Sequence, residues 1–304
     1  MLEIKRILVA SDMSESSALA ETRAAKLCRR FGVEELELVN VQDTGFVDML
    51  GQILGAGKKS EELVSEQITR DFEPVRKRIS DEFGIRTSLT VLFGRPSVEI
   101  ARHADRVDAS LIVVGAKQPG LGKKFFLGNT PDRLLHITPV PLLIVRQEPS
   151  SSYQNVLIPV DFSENSKYAV KVAMKMMLPA GRKTFLHAYD IPNEGLMRYA
   201  NVSADLINNF RNEARVRAEN EMTQLIASLD SDNRVSQSIQ YGSALRIIED
   251  YVNMNNPDLI IMGKQGKSHF ENLLLGSTTR NTVNETSCDI LVVPLKREVT
   301  MPAG

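Results

Sequence analysis

The chain reads as an α/β protein built from two tandem doubly wound domains, each a parallel sheet of five strands with helices on both faces. Three observations predict this. Its 304 residues are enough for two domains of about 150 residues each. The second half of the sequence repeats the first. Each half alternates short apolar runs with amphipathic stretches, the pattern of parallel strands joined by crossover helices.

The repeat is legible residue by residue. Ile7-Leu8-Val9-Ala10-Ser11-Asp12-Met13-Ser14-Glu15 answers Leu157-Ile158-Pro159-Val160-Asp161-Phe162-Ser163-Glu164, with Asp12 on Asp161 and Ser14 on Ser163. Val39-Asn40-Val41 answers Leu186-His187-Ala188, and Gly94 answers Gly242. Gly115 and Gly128 answer Gly263 and Gly276, and Leu142–Val145 answers Ile290–Val293. A period this long makes each copy a domain rather than a solenoid turn. The polar join Gln147-Glu148-Pro149-Ser150-Ser151-Ser152 sets boundaries at 1–148 and 153–297.

In the first copy Ile7–Ala10, Leu36–Val41, Thr87–Leu92, Leu111–Val114 and Leu142–Val145 are the expected strands. They are nearly continuous apolar runs, as strands covered on both faces should be. Ser14 or Ser16 is placed to cap a helix running to about Phe31. Thr130 is placed to cap another, with Pro131 at its first position. The stretch Leu63–Phe83 reads as a helix kinked at Pro74. In the second copy Ser163 caps a helix through Met177, and Ala204–Leu229 forms a long charged helix. Met174, Met176 and Met177 read as core packing. Asp43–Ser60 and Asp190–Ser203 follow the second strand of each copy, where open α/β sheets bind ligands, and are candidate lids.

Bulk properties narrow the function. Hydrophobic content is 42%, charged content 25% and net charge -1, so nothing favours nucleic acid or an anionic membrane as partner. No apolar run approaches the ~20 residues of a membrane span, and the first residues lack a signal-peptide core. Cys28 and Cys288 lie in different halves and supply neither a disulfide framework nor zinc-ligand spacing, which points to the cytoplasm.

The chemistry concentrates in Leu259–Thr278. Gly263 closes a strand, Gly266 follows, and after nine residues Gly276 opens a helix whose first turn carries Ser277, Thr278 and Thr279. Glycines let a ligand approach the backbone, and a helix N-terminus attracts phosphate. Lys264 and Lys267 would add charge. A P-loop is excluded, because Ile261 stands where that motif needs its first glycine. A dinucleotide fingerprint would lie after the first strand of each domain, not the fourth.

This arrangement resembles the universal stress protein family, whose pattern of Gly, two residues, Gly, nine residues, Gly, then Ser or Thr is met by Gly263, Gly266, Gly276 and Ser277. Pro159-Val160-Asp161 matches the family's first strand, which ends in an acidic residue. The resemblance implies an adenine nucleotide alpha hydrolase-like fold and ATP as the ligand, with Mg²⁺ carried on the nucleotide. It implies that Pro159, Val160, Asp161 and Ala188 line the adenosine end. Met262 and Gly263 would then flank the ribose and first phosphate, while Gly266, Lys267, Gly276, Ser277 and Thr278 hold the phosphates. Asp161 would help place the metal or else cap the following turn. His187 reads as a packed histidine rather than a ligand, and His269 as a weaker phosphate contact.

The first copy departs from the pattern. Gln118 replaces the second glycine, Pro119 restricts it, and Asn129 replaces the final serine. Gly120 and Gly122 keep that loop pliant. A preserved fold with poor or absent ATP binding is expected there. The expected role is a nucleotide-binding regulatory protein, with a slow ATPase or phosphotransferase and a module without nucleotide as the alternatives; no catalytic residue stands out. AMP or a cyclic nucleotide stays open as ligand. The family's last strand commonly pairs domains, so Leu142–Val145 and Ile290–Val293 are expected to meet as an intramolecular pseudo-dimer, with a homodimer as a further option.

Overall fold

The computed structural model describes residues 4–45, 47, 49, 59–116, 127–149, 152–176, 181–229, 235–266 and 275–295. The chain forms two compact units, residues 1–152 with 289–304, and residues 153–288.

In chain order the first unit contains β1 (Ile7–Ala10), α1 (Glu15–Phe31), β2 (Glu35–Gln42), α2 (Lys59–Asp71), α3 (Glu73–Phe83), β3 (Arg86–Phe93), α4 (Pro96–Arg106), β4 (Leu111–Gly115), α5 (Asn129–Ile137) and β5 (Leu142–Val145). The strands pair in parallel in the order β3-β2-β1-β4-β5. Neighbouring residues of a strand face opposite sides of the sheet. Ile7, Leu8 and Val9, like Leu143, Ile144 and Val145, are all fully buried, so both faces of the sheet are covered.

Local chemistry sets the helix ends. Ser14 caps α1 by accepting from the Ser17 amide at 3.3 Å, and Gly32 closes it in the left-handed region at φ 68°. The expected kinked helix at Leu63–Phe83 is instead two helices. Phe72, fully buried, sits at the joint, and Pro74 lies in the first turn of α3, where a missing N–H costs no helical bond. The expected cap at Thr130 is also corrected. α5 starts two residues earlier, at Asn129 rather than Pro131, after Gly128 at φ 87°. Pro131 is still within the first turn, among the amides that have no helical acceptor.

The second unit contains β6 (Asn155–Pro159), α6 (Glu164–Met176), β7 (Arg182–Tyr189), α7 (Glu194–Tyr199), α8 (Ala204–Ala227), β8 (Val235–Tyr241), α9 (Ala244–Asn255), β9 (Leu259–Gly263) and α10 (Ser277–Glu285). Its strands run parallel in the order β9-β6-β7-β8. Ser163 receives the Ser166 amide at 3.2 Å at the start of α6. Met176 is buried, and Met177 lies outside the described residues. Part of the expected lid after β7 is the short helix α7, while most of 43–60 lies outside the described residues.

The last strand, β10 (Asp289–Val293), falls with the first unit. It pairs antiparallel with β5, Ile290 opposite Ile144 and Val292 opposite Leu142. The two segments expected to meet are therefore hydrogen-bonded partners. Each repeat contributes the five strands expected of it, β1–β5 and β6–β10, although β10 falls with the first unit. Asp289 helps hold β10 in place. Its Oδ1 accepts the amides of Arg146 at 2.8 Å and Gln147 at 3.1 Å, and Arg23 Nε lies 3.6 Å from Oδ2 with both side chains buried. Pairing also covers a strand edge that would otherwise present open backbone groups.

Candidate functional site

The site of the second unit begins at the carboxyl end of β6. Val160 donates its amide to Leu186 O at 2.8 Å, extending the pairing with β7 one residue beyond the strand. Phe162 then takes a left-handed backbone, φ 61°, and the chain turns into α6. Asp161 is anchored in that turn, its Oδ1 accepting from Ser163 N at 3.0 Å and Ser163 Oγ at 2.6 Å. The turn-capping role therefore holds for this carboxylate. The first unit repeats the device. Ser11 N donates to Val39 O at 3.0 Å, Met13 takes φ 62°, and Asp12 Oδ1 accepts from Ser14 N at 3.1 Å and Ser17 Oγ at 2.6 Å. A non-glycine residue in the left-handed region costs about 1–2 kcal/mol, so the surrounding bonds impose this turn in both copies.

His187 Nδ1 donates to Val160 O at 2.8 Å, which assigns its proton to Nδ1. Its ring packs 4.3 Å from that of Phe162. At the matching position Asn40 Nδ2 donates to Ser11 O, also at 2.8 Å. Both side chains brace the carbonyl before the turn, so His187 is a packed residue, and it does not line the cavity.

The glycines differ in what they permit. A Cβ on Gly115 would lie 2.1 Å from Ser16 O, and one on Gly263 3.1 Å from the Asn165 side chain. The first demand on both is the close approach of the helix that follows the neighbouring strand, α1 after β1 or α6 after β6, to the strand end. It is a packing reason, shared by both copies, and independent of any ligand. Gly266 is different, because its Cβ would lie 2.5 Å from Asp161 Oδ2. The glycine opens the space into which that carboxylate reaches. Gly276 has an ordinary backbone, φ -60° and ψ 141°. Its amide donates to Lys264 O at 2.9 Å, while Thr279 Oγ1 donates to Gly263 O at 2.9 Å. These two bonds bring the chain after β9 back to the strand it left, and they set the first turn of α10 beside β6.

A cavity of about 190 Å³ results. Pro159, Val160 and Asp161 line it from β6, Ala188 from β7, and Met262 and Gly263 from β9. Gly266, Gly276, Ser277 and Thr278 complete the polar end. Of the expected site residues that are described, Lys264 is buried and does not line the cavity, and the others come together; Lys267 and His269 lie outside the described residues. Thr279, named with the helix start, lines the cavity too, whereas sequence reasoning missed the wall made by Ala244, Ile247 and Ile248 of α9, as well as Leu186, Ser166 and Gln265. The only signal for α9 was its position, since a helix after an outer parallel strand crosses back past the strand ends. Asp161 is the only ionisable side chain among the described lining residues.

The first unit has a cavity of about 600 Å³ at the equivalent place. Asp12, Glu15, Ser16 and Ser17 line one side, and Val39, Val41, Ile100, Val114 and Leu127 form an apolar wall. Gly128, Asn129 and Thr130 line it from the start of α5. Burial raises the pKa of Asp12, but hydrogen bonds involving Ser14 and Ser17 outweigh it and hold the carboxyl below its ordinary value. Behind the cavity, Ser11 Oγ donates to buried Glu21 at 2.6 Å, and Arg78 pairs with the other oxygen at 2.6 Å. Burial pushes the Glu21 carboxyl up despite Ser11 and Arg78. Gln118, Pro119, Gly120 and Gly122 lie outside the described residues.

Parallel α/β units with a cavity beyond the carboxyl ends of their strands belong to the small-ligand-binding architectures. A family model described as the universal stress protein family matches residues 3–146 and again 152–294. The chain belongs to the universal stress protein family and carries two such domains in tandem. Universal stress protein MJ0577 of Methanocaldococcus jannaschii is 28% identical over 166 residues, covering 48% of this chain and 98% of that protein. Universal stress protein MJ0531 of the same organism is 26% identical over 143 residues, covering 47% and 82%. The crystal structure of a universal stress protein from Archaeoglobus fulgidus has the same fold, with a TM-score of 0.63 at 20% identity over 96% of this chain and 99% of that one. Among the described residues no helix is long and apolar enough to cross a membrane.

Proposed function

We propose that the second repeat, residues 153–297, binds an adenine nucleotide, ATP, and that the chain works as a nucleotide-responsive regulatory protein, with residues 1–148 as a repeat that binds ATP poorly. The observation that carries this reading is the two-ended cavity of the second unit. Leu186, Ala188, Ile247, Ile248 and Met262 make an apolar slot suited to a flat base. Gly266, Gly276, Ser277 and Thr278 lie at the other end, beside the positive end of α10. The first amides of a helix have no internal acceptor and are ready donors for phosphate oxygens. The volume of about 190 Å³ suits the base and part of the ribose, so the phosphates would run along the turn after Gly266. Mg²⁺ on the phosphates would meet Asp161 Oδ2, and Lys267 would add positive charge. Binding changes the surface offered to a partner only if ATP prefers one conformation of the chain.

Calorimetric titration of the full chain with ATP tests this. One site is expected, and Gly276→Asp should weaken it by about 100-fold, or roughly 2.7 kcal/mol. The ordinary backbone of Gly276, and the 3.4 Å or more around a Cβ there, leave that variant able to fold. Absence of ATP binding, or a Gly276→Asp protein that binds as the parent does, overturns the proposal.

A further inference from the structure

The short helix α7 is held to the second unit by a polar cluster rather than by packing. None of its residues is buried. Leu196 is 66% and Tyr199 88% exposed, and their spacing puts them on one side of the helix. Glu194, in the first turn, supplies the attachment. Its carboxylate accepts from Arg198 Nε at 2.9 Å, from Arg211 of α8, and from the Tyr241 hydroxyl at the end of β8. The Arg211 guanidinium lies 4.5 Å over the Tyr241 ring, and the Tyr189 ring meets that of Tyr241 edge-on at 5.5 Å. Hydrogen bonding from Arg211, ahead of that from Arg198, holds the Glu194 carboxyl below its ordinary pKa.

Two left-handed residues bracket the helix, Asn193 at φ 61° and Asn201 at φ 54°. Asparagine enters that region more readily than most side chains, and hinges are a few residues of this kind at element ends. An element that buries nothing and hangs on a few polar bonds opens at low free-energy cost. The ATP site is close by. Ala188 lines the cavity and Tyr189 ends the same strand. Residues 190–193 alone join β7 to α7, at most about 14 Å of chain. The described lining contains no residue of α7.

We infer that α7 is a latched lid for the cavity of the second unit. Glu194 pins it aside, and release of Arg211 and Tyr241 lets it turn on Asn193 and Asn201 and lay Leu196 and Tyr199 over the apolar slot of Leu186, Ala188, Ile247, Ile248 and Met262. This inference rests on that cavity being the ATP site. Covering apolar surface favours the closed position, and the latch opposes it. A bound base adds surface for the lid to cover, so ATP prefers the closed form.

The chain has no tryptophan, so Tyr199→Trp places a single fluorescent reporter on α7. Without ATP its emission should be that of an indole in water. ATP should move the emission to shorter wavelength and cut acrylamide quenching about three-fold. Glu194→Ala in the same background removes the latch. Part of the shift should then appear before ATP is added, and calorimetry should find ATP bound about five-fold tighter, because the competent position is more populated. Tyr241→Phe, which deletes one bond of the latch, should act in the same direction by less. ATP binding that leaves the indole unchanged, or a Glu194→Ala chain with neither the early shift nor the tighter binding, overturns the inference. Absence of any heat with ATP defeats the ATP reading by itself. The ATP-free comparison then decides the lid, and an indole as exposed after Glu194→Ala as before it overturns the latch.

Discussion

The first cavity measures about 600 Å³ and the second about 190 Å³, yet the complete glycine pattern belongs to the second. The two are built on the same turn, with Asp12 and Asp161 bound alike to the amide two residues on and to a nearby serine hydroxyl. They differ in what surrounds that carboxylate. In the second unit Gly266 packs against Asp161 Oδ2, and the α9 wall closes the apolar slot. In the first, Glu15 adds a second carboxylate and the lining stays wider. Cavity size follows from strand ends and flanking helices, whereas the glycine spacing governs which backbone groups a ligand can reach. A repeat can therefore lose its phosphate-binding pattern and keep a pocket.

The paired glycines offer the sharpest ways to break this comparison. Gly115→Ala should cost about 3 kcal/mol of stability, because its Cβ would run into the Ser16 carbonyl oxygen at 2.1 Å. Gly263→Ala should cost about 1 kcal/mol, since its contacts are longer, 3.1 Å to the side chain of Asn165 and 3.2 Å to its backbone. Urea midpoints of the two variants check the order, and equal losses would show that the two strand ends are not packed as described. Gly128→Ala, at φ 87° and ψ 156°, should cost about 2 kcal/mol, since only glycine enters that region freely. Gly276→Ala, at φ -60°, should stay within about 0.5 kcal/mol. An equal effect at these two positions would mean that the entries to α5 and α10 are alike after all.

The smallest effect expected is a pH slope confined to the first unit. Burial holds the folded Glu21 carboxyl above its ordinary pKa, the value it has in the unfolded chain. Between those two values the folded chain binds more protons than the unfolded one, so stability falls as pH rises through that window. Glu21→Gln should remove this part of the slope. Hydrogen exchange of α1 amides against pH is the measurement, and an unchanged slope would assign it to other groups.

Much of the fold was legible from particular residues. Ile7–Ala10 and Leu142–Val145 are strands with the expected limits, because continuous burial on both faces demands unbroken apolar runs. Ser14 and Ser163 were readable as helix starts from their hydroxyls. The break at Phe72 was not, because burying that ring at the joint is a tertiary matter, and the register alone made Pro74 look like a kink. The start of α5 at Asn129 was missed for a similar reason, since the left-handed Gly128 replaced the side-chain cap that Thr130 promised. At the site, Asp161, Gly266 and Gly276 stood out as motif residues. Ala244, Ile247 and Ile248 did not, since apolar residues on a helix read as ordinary core until their place beside a cavity is seen.

The sequence by itself determined the repeat, the alternation of strand and helix, and the glycine spacing after the fourth strand of the second copy. Those depend on local periodicity and on residue types that act through their own backbone. The tertiary structure alone decided that the expected meeting of β5 and β10 would be antiparallel, that Gly115 and Gly263 answer first to a neighbouring helix, and that the repeat with the eroded motif keeps the larger cavity. Each depends on groups far apart in the chain meeting in space, where volume and hydrogen-bond geometry, rather than pattern, set the outcome.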